Sequence, residues 1–195
     1  MGLVENPPWV VRAGGNPAGA EVELATRFAA SLGATPQWFW GAEQRHMEAL
    51  ERFELDLVIA GLDQKTPWSK KVGLTRPYFE EQVVIGVPPG IRAPTKWNGI
   101  SLTVESGDVT AAYLLKKHAT PVRVNDFFQV SGPVAAPIWR LETIGFTITS
   151  SPLFQKQHVM AVPPGENGWL KRLGGFLNEQ KSNVKSLLKA TEVRQ

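Results

Sequence analysis

One nine-residue phrase returns in near-identical form in this chain. Gln82-Val83-Val84-Ile85-Gly86-Val87-Pro88-Pro89-Gly90 is echoed seventy-five residues further on by Gln157-His158-Val159-Met160-Ala161-Val162-Pro163-Pro164-Gly165. Each copy reads as an apolar strand stopped by Pro-Pro, because proline cannot donate to a strand ladder. Two readings are open. If residues 91–156 form a second lobe, the chain must leave the first lobe and later return, and two adjacent extended crossings do that. Otherwise the echo is a chance likeness between two buried strands.

The segments around the echo favour an α/β organisation. Leu3–Val11 is short, apolar and interrupted by proline, a strand running into a turn. Ala18–Leu32 is the clearest helix: Leu24, Phe28 and Leu32 recur every fourth residue and Gly33 supplies a stop. Pro36–Trp40 reads as a strand, Glu43–Phe53 as a helix with Met47 and Leu50 inward, and Leu55–Ala60 as a buried parallel strand ending at Gly61. Strand, helix, strand, helix, strand is a doubly wound unit.

Between the copies lies a smaller α/β unit. Ile100–Val104 and Pro121–Val124 are expected strands flanking a helix over Gly107–His118. Pro133–Ile144 reads as a helix broken near Pro137, and Phe146–Thr149 as a strand. The tail reads as two helices, Glu166–Leu177 and Ser182–Leu188. The expected division is residues 1–87 with 159–195 as the first lobe and 88–158 as a reduced second lobe.

Composition narrows the function by exclusion. Lys and Arg number 21 against 18 Asp and Glu, and they are scattered, so no nucleic-acid footprint is present. There is no cysteine, which removes disulfides, thiolate metal sites and thiol catalysis. No apolar run is long enough to span a membrane. No signal peptide is visible; an exported chain would have had its targeting segment removed. His46, His118 and His158 lie far apart in no metal-spaced pair. No nucleophile elbow, zinc-protease pair, phosphate loop or dinucleotide fingerprint occurs. We therefore expect no enzyme, no cofactor and no metal.

Several phrases together resemble a known family. Pro7-Pro8-Trp9, Gly19-Ala20-Glu21-Val22-Glu23-Leu24-Ala25, Asp56-Leu57-Val58-Ile59-Ala60-Gly61 and Arg76-Pro77-Tyr78 stand in the order of the family 3 extracellular solute-binding proteins, the amino-acid-type receptors of ABC importers. The resemblance implies a two-lobed periplasmic binding protein type II-like fold with two hinge strands, closing on a ligand by a hinge motion. It also implies a periplasmic location.

The departures from the family pattern bear on the ligand. After the residue matching Gly61 the family carries a hydroxyl residue and then an Arg that forks the ligand carboxylate. Here the first position is Asp63 and the second Trp68. The family's Gly-Thr or Gly-Ser pair in the second lobe is Gly107-Asp108. The family then has a helix and a strand ending in an Asp for the ligand ammonium. The chain between Val124 and Pro133 is too short for them, so strand and Asp are expected to be missing. Three amino-acid contacts are lost on this reading.

The candidate ligand-binding residues are Trp9, Gly61, Asp63, Lys65, Trp68, Asp108 and Thr110. Each has a plainer reading beside it. Trp9 is a ligand wall or a core aromatic; Trp68 lines a cleft or plugs it; Asp63 and Asp108 contact ligand or cap the helices that follow. The set is aromatic and partly acidic, which suits a neutral or cationic organic solute. The expected function is solute capture with an altered cleft, not for standard α-amino acids, with hand-off to a membrane permease or another periplasmic protein. The alternative is an accessory protein of this fold that binds no ligand, such as the relatives that accompany periplasmic quinoprotein dehydrogenases.

Overall fold

A computed structural model describes residues 1–92, 99–125 and 130–192. It divides into two units, Met1–Glu80 with Lys156–Gln195, and Glu81–Gln155.

The first unit opens with β1 (Gly2–Leu3). A hairpin of β2 (Val11–Ala13) and β3 (Asn16–Ala18) turns at Gly14 and Gly15, both at positive φ. Then come α1 (Ala20–Ser31), β4 (Phe39–Trp40), α2 (Glu43–Glu51) and β5 (Val58–Asp63). β1 pairs in parallel with β4 on one side and β5 on the other. Both helices are therefore crossovers between parallel strands, as the apolar spacing predicts. Helix α1 turns Leu24, Ala25 and Phe28 inward, and α2 turns Met47 and Leu50 inward. Strand β5 lies later than its apolar run predicts. Its second half is held by antiparallel pairing, with His158 opposite Asp63 and Val159 opposite Leu62. Gly61 and Asp63 thus fall inside a strand and not in the loop after it. A 3-10 turn over Pro67–Lys70 and the short β6 (Gly73–Leu74) follow.

β7 (Phe79–Val87) carries the first copy of the repeated phrase into the second unit. That unit holds β8 (Ser101–Glu105), α3 (Thr110–Lys116), β9 (Thr120–Val124), β10 (Val134–Pro137), α4 (Ile138–Thr143) and β11 (Thr147–Ile148). β8 runs parallel to β9 and to β10, and β10 runs antiparallel to β7. One expectation fails here. Val134, Ala135 and Ala136 are not helical, because they are buried and pair across to Gly86, Ile85 and Val84. The helix starts only after Pro137. A strand does therefore follow Val124, contrary to the expectation that it was lost. It ends at Pro137, with no Asp at that end.

β12 (Phe154–Val162) carries the second copy of the phrase back into the first unit, and α5 (Asn167–Glu192) closes the chain. The units divide at 80/81 and 155/156, whereas the sequence division stands at 87/88 and 158/159. The difference has a pairing basis. Val83–Gly86 ladder onto β10, and Gly86 and Val87 onto β11, within the second unit. Ala161 and Val162 pair with β6 within the first. Helix α5 is one element, not the two expected. Leu173, Leu177, Val184 and Leu188 hold one buried stripe straight through Asn178–Lys181, where no proline or glycine interrupts the helix.

Candidate functional site

In the first unit, the start of α1 anchors Trp9. The N–H of Ala20 donates to the Pro8 carbonyl at 3.1 Å, and that of Glu21 to the Trp9 carbonyl at 3.0 Å. Both are first-turn amides that lack a partner within the helix. Only glycine fits just before them: at Gly19, φ is 115°, and a Cβ would lie 2.4 Å from the Trp9 oxygen. The Trp9 ring stacks on His158, meets Tyr78 edge to face and lies tilted against Phe79. Only 4% of Trp9 is exposed.

Glu21 ties this group together. It is fully buried, accepts the Tyr78 hydroxyl at 2.6 Å and accepts the Gly61 N–H at 2.8 Å. Burial pushes its carboxyl above the ordinary glutamate value, opposed by those two hydrogen bonds and by His158. Gly61 sits at φ 62°, and a Cβ there would lie 2.7 Å from the Trp9 ring and from the Asn6 amide. The amide of Asn6 in turn donates to the Ala60 carbonyl. Asn6, Trp9, Glu21, Gly61, Tyr78 and His158 form one locked cluster at the end of β5.

Of the seven sequence-predicted residues, Trp9 and Gly61 lie in this cluster. Asp63 lies two residues further along β5, with one carboxylate oxygen accepting the Lys65 N–H at 2.7 Å and the other the Gln157 N–H at 3.1 Å. Lys65 is exposed. Trp68 is half-buried against the α2 side of the core; its indole N–H donates to Glu43 at 2.7 Å, and Lys71 stands over its ring. Asp108 and Thr110 belong to the second unit and contact each other: the Asp108 carboxylate accepts both the N–H and the hydroxyl of Thr110 at the start of α3. In the same unit Arg140, 4% exposed, donates to Glu105 at 2.6 Å, and Trp139 donates to Glu81 at 2.9 Å. Among the described residues no group of three or more His, Asp or Glu is placed to hold a metal ion. No helix there is long and apolar enough to cross a membrane.

A family model, bacterial extracellular solute-binding proteins, family 3, matches residues 1–189. The chain belongs to that family. Solved structures agree on the fold of this family 3 protein. A mutant of ArgBP from T. maritima aligns over 100% of this chain and 94% of its own, at 22% identity and a TM-score of 0.61. The GluR0 ligand-binding core from Nostoc punctiforme, in complex with L-glutamate, covers 95% of each chain at 18% identity and 0.63. An ancestral cationic amino acid solute binding protein, AncCDT-1, covers 97% of this chain and 93% of its own at 15% identity and 0.75. No curated protein matched the chain.

Sequence reasoning missed Glu21, Tyr78 and His158 as members of the family 3 protein's cluster. A signal existed for Glu21. It precedes Leu24 by three residues and Phe28 by seven, so a carboxylate stands on the buried stripe of α1. A charge in that position needs partners.

Proposed function

We propose that this family 3 protein captures a small organic solute that is neutral or cationic and is not a standard α-amino acid, and passes it in the periplasm to a membrane permease. Trp68 carries the reading. At the position where the family resemblance expects a carboxylate-gripping Arg, an indole donates its N–H to Glu43. Glu43 sets a carboxylate beside that indole, which disfavours a ligand carboxylate there. The L-glutamate and arginine named for similar structures are therefore not carried over to this chain.

A thermal-shift screen of neutral and cationic solutes, with the standard amino acids alongside, tests this. A solute at 100 times its Kd should stabilise the fold by about 2.7 kcal/mol. We expect a shift with at least one such solute and none with the amino acids; a shift with any standard amino acid overturns the reading.

A second reading, an accessory protein that binds no solute, is favoured by one observation. The Asp63 and Asp108 carboxylates already accept N–H groups of their own chain, and Trp9 is spent on His158. A blank screen together with a stable partner recovered from periplasm would select it.

A further inference from the structure

The flank of α5 and the segment Leu74–Tyr78 bound a groove of about 650 Å³ within the first unit. Leu74, Leu170 and Leu177 give it apolar lining. Arg76 stands on one wall and Lys171 and Lys181 on the helix, and among the described residues no acidic one lines it. All three cations are exposed, and none makes an ion pair among the described residues. Lys171 and Lys181 are ten residues apart on one helix, about 15 Å, too far for one small anion to meet both. Between them the helix carries Gly174 and Gly175. Glycine is a poor helix former, and beyond the helix's own adjacent backbone a Cβ at either position would find none of the described residues within 4 Å. The fold's own packing does not require them, and they leave bare backbone beside the groove.

We propose that this groove docks an acidic segment of a partner protein, laid along α5 with carboxylates at Lys171 and Lys181 and an apolar side chain over Gly174. The charge complementarity and the spacing of the cations select this occupant, and the inference is independent of which solute the protein binds. An extended chain covers the span between the lysines in about five residues.

The test uses the full chain and a fluorescein-labelled peptide Glu-Leu-Ser-Leu-Ser-Glu, with binding read by anisotropy at low salt. Its Gln-for-Glu counterpart, free glutamate and phosphatidylglycerol vesicles are run alongside. Saturable binding to the acidic peptide is expected, weakened about tenfold or more by the double substitution Lys171→Glu, Lys181→Glu. Gly174→Leu should weaken it similarly while the unfolding midpoint does not fall, which separates a filled groove from a damaged fold. The proposal is overturned if the peptide does not bind, if Gly174→Leu binds it as the native chain does, or if free glutamate competes as well as the peptide. Capture by vesicles in place of the peptide would assign the patch to a membrane surface and overturn it too.

Discussion

Trp9 and His158 stack with ring centroids 3.9 Å apart and planes inclined by 27°. The two residues are 149 positions apart in sequence, and both are almost completely buried. The stack fastens the start of the chain to the returning strand β12, so Trp9 serves the fold as well as any site. Trp9→Ala should then cost about 3–5 kcal/mol in urea unfolding, the range for deleting a large buried aromatic. A purely ligand-facing tryptophan would lose binding with almost no change in stability, and that outcome would contradict the packing role.

Glu21 should make stability depend on pH. Its folded-state carboxyl is held above its ordinary value of 4.5, chiefly by burial. The folded state then keeps a proton that the unfolded state has already released. The contribution is fully present below the unfolded value and is lost as pH rises toward the raised folded value. Glu21→Gln should flatten that fall, seen as a smaller change in unfolding midpoint between acid and neutral pH. An unchanged pH profile in the Gln variant would show that Glu21 does not carry the dependence.

The main outline of the fold was legible because it rests on local, periodic signals. The apolar spacing of Leu24 and Phe28 and the Pro-Pro stops after both repeated strands need no tertiary information. What was not legible depends on partners distant in sequence. Val134-Ala135-Ala136 has no strand period of its own; it is a strand because β7 and β8 flank it. Trp9 looked like a wall because a tryptophan after two prolines carries no mark of the imidazole that covers it. Asp63 and Asp108 were read as ligand contacts or as caps of the helices that follow; Asp63 instead accepts the Lys65 and Gln157 N–H groups, ahead of the turn at Pro67, and Asp108 the N–H of Thr110. The family pattern pointed to the loop after Gly61 but could not show that Trp68 turns toward Glu43.

The Glu105–Arg140 pair in the second unit should respond asymmetrically. Arg140 is buried, while the Glu105 side chain is 39% exposed. Removing the carboxylate leaves a guanidinium in a dry site without this partner, whereas removing the guanidinium returns a half-exposed carboxylate to water. Glu105→Gln should therefore destabilise by about 2 kcal/mol or more, and Arg140→Met by clearly less. Denaturant unfolding of both variants, with hydrogen exchange followed in β8 and α4, reads the difference. Equal losses would mean that the pair contributes through packing and not through charge.

Gly174 and Gly175 offer a prediction of opposite sign. Both lie inside α5, neither has a positive φ, and beyond the helix's own adjacent backbone a Cβ at either would meet none of the described residues within 4 Å. Gly174→Ala and Gly175→Ala should each stabilise the fold by about 0.5–1 kcal/mol, because alanine loses less backbone freedom on entering a helix. The two sites neighbour each other, so the double variant tests additivity as well. An unfolding midpoint that rises with each substitution would mean that these glycines are retained for something other than the stability of the chain. A midpoint that falls would mean that α5 needs them for its own packing, and the bare backbone beside the groove would lose its significance.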